Sequence, residues 1–236
     1  TVHTGEIVGL VGVEGNGQAE TLEAISGLKP IAAGEIKLLG EPITGLDVLD
    51  RRKKGIASIP EDRIAQGLAT GATVAENLVA TRLGERRYVR NGLLDLKAIR
   101  ENATKLIERF SIRVGGPDYN VSTLSGGNMQ KVVVARELAE QPRLLLVNQP
   151  TRGVDLGATQ FIWRTITDAR DAGAAVLLSS ADLHELLALS DRLLVLYRGK
   201  IVAAFINTPD LTPETLGTYM LGLATQTADE MQPALK

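Results

Sequence analysis

Short apolar runs alternate with longer amphipathic stretches along this chain. Glu6–Val11, Glu35–Leu39, Ile56–Ile59, Leu144–Val147, Ala174–Ser179, Arg192–Tyr197 and Lys200–Phe205 each span four to six residues rich in Val, Ile, Leu or Ala. Such runs read as strands, and strands separated by helical patterns predict an α/β fold with a mainly parallel sheet. Gly34–Gly40 and Gly199-Lys200-Ile201-Val202 have hairpin character, which adds a small antiparallel β portion. Between about Ala72 and Gln141 strand patterns are scarce. There Leu96, Ile99, Ala103, Leu106, Ile107 and Phe110 share one face at helical spacing and are expected to pack in a core. The pattern predicts one domain over residues 1–223, with a helical subdomain inserted at about 72–141. Residues 224–236 have mixed polarity and no period, and are expected to form a tail.

One junction in this pattern carries candidate chemistry. The run Ile7–Val11 leads straight into Gly12-Val13-Glu14-Gly15-Asn16-Gly17-Gln18-Ala19-Glu20, and a helical pattern begins at Thr21. Strand, glycine-rich turn and helix start are the setting of a phosphate-binding loop, in which backbone N–H groups and a helix N-terminus face the anion. Gly12, Gly15 and Gly17 keep that cradle. The expected pattern G-x-x-x-x-G-K-[ST] then needs a lysine for the outer phosphates and a hydroxyl for Mg²⁺. Gln18 and Ala19 stand there instead. An ordinary tight strand-to-helix turn explains the glycines as well as a phosphate site does. A dinucleotide fingerprint fits less well, because Glu20 occupies its third glycine position.

A second strand shows the same kind of replacement. Leu144–Val147 ends in Asn148-Gln149-Pro150. A buried strand of a phosphate-loop ATPase ends in an aspartate that holds Mg²⁺, and in one large class a glutamate follows. Asn148 and Gln149 are the neutral isosteres of that pair. An engineered Glu-to-Gln trap would explain Gln149 alone; the parallel changes at Gln18, Ala19 and Asn148 favour natural degeneracy. Composition changes this picture little. The net charge is -2 and aromatics are 3%, which speaks against a polyanionic partner or base-stacking platforms. Cysteine is absent, which excludes disulfides and thiolate metal sites, and no metal site is expected within this chain. No apolar run approaches the roughly 20 residues of a membrane span. With Thr1-Val2-His3 at its start, the chain reads as an excerpt of a longer protein.

The most informative stretch is Leu124-Ser125-Gly126-Gly127-Asn128-Met129-Gln130-Lys131, which opens an amphipathic helix. A hydroxyl, two glycine amides and a helix N-terminus form a second anion site; Ser125 as a plain helix cap is the alternative. This stretch resembles the signature segment of ABC-type ATPases. Together with the glycine loop, Pro60-Glu61-Asp62-Arg63 and Pro150-Thr151-Arg152-Gly153-Val154-Asp155, it is similar over nearly the whole chain to the second ATP-binding domain of tandem ATPase subunits serving nucleoside and simple-sugar importers.

That resemblance implies an ABC-type P-loop NTPase core with two separable roles. As nucleotide-binding residues it implies Gly12, Glu14, Gly15, Asn16, Gly17, Gln18, Ala19 and Glu20. No catalytic residue is intact, since Gln149 stands at the base position, Asn148 at the Mg²⁺-ligand position and Ala181 at the switch-histidine position. Ser125, Gly126, Gly127, Asn128 and Gln130 would complete the nucleotide site of a partner domain. Glu61, Asp62, Arg63 and Asp155 would serve inter-domain contact and coupling. The implied cofactor is ATP, held weakly at the chain's own site, with Mg²⁺ at the partner-completed site. The implied partners are a second ATP-binding domain, expected in the same full-length protein, an integral-membrane permease and, indirectly, a solute-binding protein, but no nucleic acid. The implied location is the cytoplasmic face of the plasma membrane, and ATP hydrolysis would be nearly absent in the isolated domain. The alternatives are a soluble ABC-type ATPase of nucleic-acid repair or translation, and a regulatory pseudo-ATPase. The basic stretch Arg82–Arg90 is expected as a solvated face.

Overall fold

A computed structural model describes residues 1–90 and 92–235, so that Asn91 of the expected subdomain and Lys236 of the expected tail lie outside it. In chain order the elements are β1 Ile7–Val11, α1 Gln18–Ser26, β2 Lys37–Leu38, β3 Glu41–Pro42, α2 Val48–Lys53 and β4 Ile56–Ile59. A five-residue π-helical turn, Arg63–Gly67, precedes α3 Val74–Val79, β5 Val89–Arg90, β6 Leu93–Leu94, α4 Leu96–Arg109 and α5 Gly126–Leu138. The rest are β7 Leu144–Asn148, α6 Leu156–Asp171, β8 Ala175–Ser179, α7 Leu183–Leu189, β9 Arg192–Tyr197, β10 Lys200–Ile206, α8 Pro213–Met220 and α9 Ala228–Leu235.

The fold is α/β with a mainly parallel sheet, as the apolar pattern predicts. Six strands run in the order β10-β9-β1-β8-β7-β4. β1 pairs in parallel with both β8 and β9, and β7 in parallel with β8. β10 returns antiparallel on β9, and β2–β3 and β5–β6 form small antiparallel pairs. All five residues of β1 are buried, the continuous apolar run that a strand covered on both faces requires. Only Lys37–Leu38 of the expected strand Glu35–Leu39 pairs, because the chain turns at Leu39 and Gly40, whose φ values are 51° and 82°.

The chain divides into two compact units. The first comprises Thr1–Ser58, Gln141–Gln149 and Ile166–Lys236, and carries the main sheet. Val8, Leu10, Leu22, Ile43, Ile56, Leu146, Leu177 and Leu196 form a core cluster there. Arg51, buried in the same unit, donates to the carbonyls of Ala24 and Ile25 at the end of α1 and to those of Thr44 and Leu46. A cation at a helix C-terminus satisfies carbonyls that the helix itself leaves open.

The second unit comprises Ile59–Glu140 and Pro150–Thr165. In it α3 packs on α4 and α5. A capping box between Thr73 and Glu76 starts α3, Asp95 caps α4 and Ser125 caps α5. Ile99, Ala103, Leu106 and Phe110 of the α4 stripe are buried, whereas Leu96 in its first turn is 62% exposed.

Residues 224–236, expected as a tail, carry α9 instead. Thr227 and Glu230 close a reciprocal capping box at its start, and the helix packs along β10 with Ala234 buried. Arg192 on β9 holds this end. It donates to the carbonyls of Ala234 and Thr1 and to both oxygens of Glu6. Burial pushes the Glu6 carboxyl up, but the hydrogen bond and charge of Arg192, with help from His3, outweigh it, and the net shift is downward. A carboxylate whose folded value is depressed stabilises the fold above its ordinary value and loses that contribution as pH falls through the folded one. Glu6→Gln is therefore expected to lower the unfolding midpoint at pH 7 by several degrees, since a hydrogen bond to a charged group contributes about 1.5–3 kcal/mol. The gap to wild type should begin to narrow below about pH 4.5 and close as pH falls through the lower folded value. Thermal melts of both proteins at pH 7 and pH 3.5 check this, and a gap as wide at pH 3.5 would refute it.

Candidate functional site

Three loops follow the carboxyl ends of parallel strands in the first unit. Gly12–Gly17 follows β1, Gln149 follows β7, and Ser180-Ala181 follows β8. Ligands of open α/β sheets bind along that edge. The topology thus gathers Gly12, Glu14, Gly15, Asn16, Gly17, Gln18, Ala19, Glu20, Asn148, Gln149 and Ala181 at one edge of one sheet, from stretches far apart in sequence.

The glycine loop closes on itself. The Val13 carbonyl accepts from the Asn16 backbone N–H at 3.2 Å, from Asn16 Nδ2 at 3.0 Å and from Gln18 Nε2 at 3.3 Å. Gln18 is 8% exposed, its carboxamide turned back toward Gly12. A Cβ on Gly12 would lie 2.4 Å from Gln18 Nε2 and 2.8 Å from the Leu196 carbonyl oxygen, so a side chain cannot replace that glycine without moving the loop. Asn16 also ties the loop to the β9–β10 turn. Its Oδ1 accepts from the Arg198 N–H at 2.7 Å and its carbonyl from the Gly199 N–H at 3.0 Å. Gly17, at φ 109°, precedes α1 and offers no side-chain cap to its first-turn amides, which leaves donors of the kind that bind anions. Glu14 and Glu20 are exposed around this N-terminus. Neither Gln18 nor Ala19 supplies a cation or a metal-binding hydroxyl.

At the end of β7 Gln149 takes on local bonds. Asn148 lies beside Ser179 in the β7–β8 register. Gln149, at φ 49°, donates its N–H to the Ser179 carbonyl at 2.8 Å and accepts the Ala181 N–H on Oε1 at 3.0 Å. The side chain that resemblance puts at the base position is thus bonded to the backbone at the switch position. His184 is exposed on α7, its N–H donated to Asp182.

The second unit gathers the remaining candidates around the start of α5. Ser125 is exposed, and its hydroxyl accepts from Asn128 Nδ2 at 3.0 Å and from the Asn128 N–H at 3.4 Å. Asn128 Oδ1 in turn accepts the Arg113 N–H at 2.8 Å. Gln130 is buried one turn on. Gly127 faces α6 so closely that a Cβ would lie 2.9 Å from that of Ala158 and 3.1 Å from Asp155 Oδ2. Asp155 accepts the Ala158 N–H at 2.9 Å and so caps α6. Asp62 accepts the Ala65 and Ile64 N–H groups, bonds that hold its carboxyl below the usual range. Glu61 pairs with Arg152, and Arg63 donates to the carbonyls of Arg152 and Gly153. Arg152, Arg198 and Gly199 join these clusters without being candidates from sequence. Arg152 lies inside a motif already singled out, whereas only a tight-turn signal marks Arg198-Gly199. Among the described residues no group of His, Cys, Asp and Glu could hold a metal ion, and no helix is long and apolar enough to cross a membrane.

A parallel sheet with a glycine loop after its first strand, joined in sequence to a helical unit that carries a Ser-Gly-Gly helix start, defines an ATP-binding cassette. Solved cassettes share this fold. A nucleotide-free ATP-binding cassette from an ABC transporter superposes with a TM-score of 0.75 at 23% identity, over 92% of this chain and 89% of that one. A dimeric cassette in a post-hydrolysis state bound to ADP and Pi gives 0.75 at 22% identity, over 88% of each. The model of the ABC transporter family matches residues 1–152, and the chain belongs to that family. It is 40% identical over 221 residues to the nucleoside import ATP-binding protein NupA of Lactococcus lactis, covering 94% of this chain and 44% of that protein. To the guanosine import ATP-binding protein NupO of Bacillus subtilis it is 39% identical, covering 94% and 43%. A ribose import ATP-binding protein, RbsA 1 of Streptomyces avermitilis, is 40% identical over 85% of this chain and 38% of its own length. The chain spans less than half the length of these curated relatives.

The brace on the glycine loop is testable. Asn16→Ala removes the acceptor of the Arg198 N–H and one donor to Val13. Amide hydrogen exchange at Arg198 should accelerate at least tenfold, and stability should fall by about 1–2 kcal/mol. Unchanged exchange at Arg198 would show that the side chain does not hold the turn.

Proposed function

We propose that this chain is the second of two ATP-binding domains in an importer subunit for nucleosides or simple sugars, and that it mainly completes its partner's nucleotide site. The observation that carries this reading is the contrast between its two glycine-rich helix starts. At α1, Gln18 and Ala19 stand where a phosphate loop needs a cation and a metal ligand, and Gln18 bonds to the loop itself. At α5, Ser125, Gly126 and Gly127 keep the hydroxyl and the amides of a signature segment, with Ser125 exposed. The names of the relatives support the importer class, and their length, more than twice that of the matched region, supports a tandem arrangement.

In this reading the two domains meet head to tail, and the nucleotide on the partner's phosphate loop receives the amide donors at the start of α5. Positive potential at that helix end and a nearby hydroxyl stabilise the charge of the outer phosphate. Gly12–Gly17 holds ATP weakly or serves as a structural turn. Gln149, bound to the Ala181 amide, activates no water. Glu61–Arg63 border a groove for a permease segment, Asp155 lies at the inter-domain contact, and the assembly sits on the cytoplasmic face of the membrane. The net charge of -2 and the names of the importer relatives make a nucleic-acid ATPase the weaker reading.

Two substitutions in the full-length protein, assayed with its permease, test the division of labour. Ser125→Asp keeps a good helix cap, since Asp and Ser cap equally well, but places a carboxylate against the partner's phosphate. ATP hydrolysis should fall at least tenfold with the unfolding midpoint nearly unchanged. Gln18→Ala should change hydrolysis less than threefold. Equal damage from both, or an unaffected Ser125→Asp, would overturn the proposal. The isolated chain should bind ATP with an affinity that Mg²⁺ changes little, because Ala19 and Asn148 offer no anionic or hydroxyl ligand. Calorimetry with and without Mg²⁺ checks this, and a tenfold Mg²⁺-dependent gain in affinity would contradict it.

A further inference from the structure

We propose that Arg63 is a positioning residue, locking the Pro60–Arg63 segment to the Thr151–Gly153 loop as one piece behind Gly126. This rests on the reading above, in which Glu61–Arg63 face a permease and the start of α5 faces a partner's phosphate. All the groups lie in the second unit.

Arg63 Nη1 donates to the Arg152 carbonyl at 2.7 Å and Nη2 to the Gly153 carbonyl at 3.1 Å. Two donors of one planar guanidinium on successive carbonyls fix the spacing and direction of that loop, which a point-charge ammonium cannot do. Among the described residues Arg63 Nε is buried without an acceptor, so these two carbonyls hold the head of the side chain. The same guanidinium backs the signature segment. A Cβ on Gly126 would lie 2.8 Å from Arg63 Nη2 and 3.3 Å from the Gly153 carbonyl oxygen. Gly126 therefore rests directly on both halves of the clasp, and either half moving displaces it.

The Glu61–Arg152 ion pair crosses the same junction in the opposite sense, with side chains 27% and 64% exposed. A pair so exposed contributes little to stability. It fixes register more than it stabilises. Asp62 holds the next turn by capping Ile64 and Ala65. Downstream of Gly153, Asp155 caps α6 and fills the space a side chain on Gly127 would need. One continuous set of contacts thus runs from Glu61 through Arg63 and residues 152–155 to the two signature glycines. A push on the permease-facing segment reaches the phosphate-facing amides without passing through the hydrophobic core.

The test uses the full-length protein reconstituted with its permease, and reads solute transported per ATP hydrolysed. Arg63→Ala and Arg63→Lys should each lower that ratio at least fivefold, the lysine because it cannot span both carbonyls. Glu61→Arg should lower it as well, and adding Arg152→Glu should restore it to within twofold of wild type. Thr73→Ala, which removes the α3 cap and lowers stability, should leave the ratio unchanged and so separates coupling from lost stability. A wild-type ratio in Arg63→Lys, or a loss no larger than that of Thr73→Ala at matched stability, would overturn the clasp. If Ser125→Asp abolishes hydrolysis while the Arg63 variants match wild type, only the clasp fails. If Ser125→Asp is harmless, the signature reading itself fails.

Discussion

The burial of β1 between β8 and β9 is the constraint on which the first unit depends. Its five residues have no exposed face, so the backbone groups must be satisfied by both neighbours at once. That double pairing leaves little freedom in register. It fixes where the glycine loop begins, and through β8 it fixes where β7 ends. The loop, Gln149 and Ala181 occupy one sheet edge because three parallel strands finish there. The β9–β10 hairpin reaches the same loop, where Asn16 meets Arg198 and Gly199.

The two glycine-rich helix starts show how one backbone device takes opposite side-chain chemistry. A helix N-terminus concentrates unsatisfied N–H groups. At α1 the nearby carboxamides turn toward a loop carbonyl rather than outward, and Val13 collects three donors. At α5 the hydroxyl of Ser125 bonds only within its own turn and stays exposed. Close packing reinforces the second arrangement. Gly126 and Gly127 are glycines because Arg63, Ala158 and Asp155 occupy the space a side chain would need. These two glycines thus serve close packing within the unit.

Some local features are legible residue by residue and others depend on packing. The Thr73–Glu76 and Thr227–Glu230 boxes have the same spacing, but α9 is short and contains Pro233, which in a linear pattern reads as a helix breaker. Its stability comes from the cap and from docking on β10, and docking has no signature in a linear pattern. Leu96 shows the converse. It fits the α4 stripe by spacing but is exposed, because it sits in the first turn, ahead of the residues the helix buries.

The sequence alone determined the strands of the main sheet, because each is a short apolar run; the two-residue pairs β2–β3 and β5–β6 carry no such run. It also determined the α/β class, the glycine loop and the Ser-Gly-Gly helix start. It placed the neutral residues Gln18 and Ala19 beside the glycine loop, and Asn148 and Gln149 beside the apolar run Leu144–Val147. Only the tertiary structure decided what those side chains do. Gln18 folds onto Val13, Gln149 accepts the Ala181 amide, and Arg63 clasps the Arg152 and Gly153 carbonyls. The reason is physical. Apolar periodicity is imposed by burial along a single element and survives in the order of residues. A hydrogen bond between groups 32 or 90 positions apart depends on distances that exist only after the elements have packed.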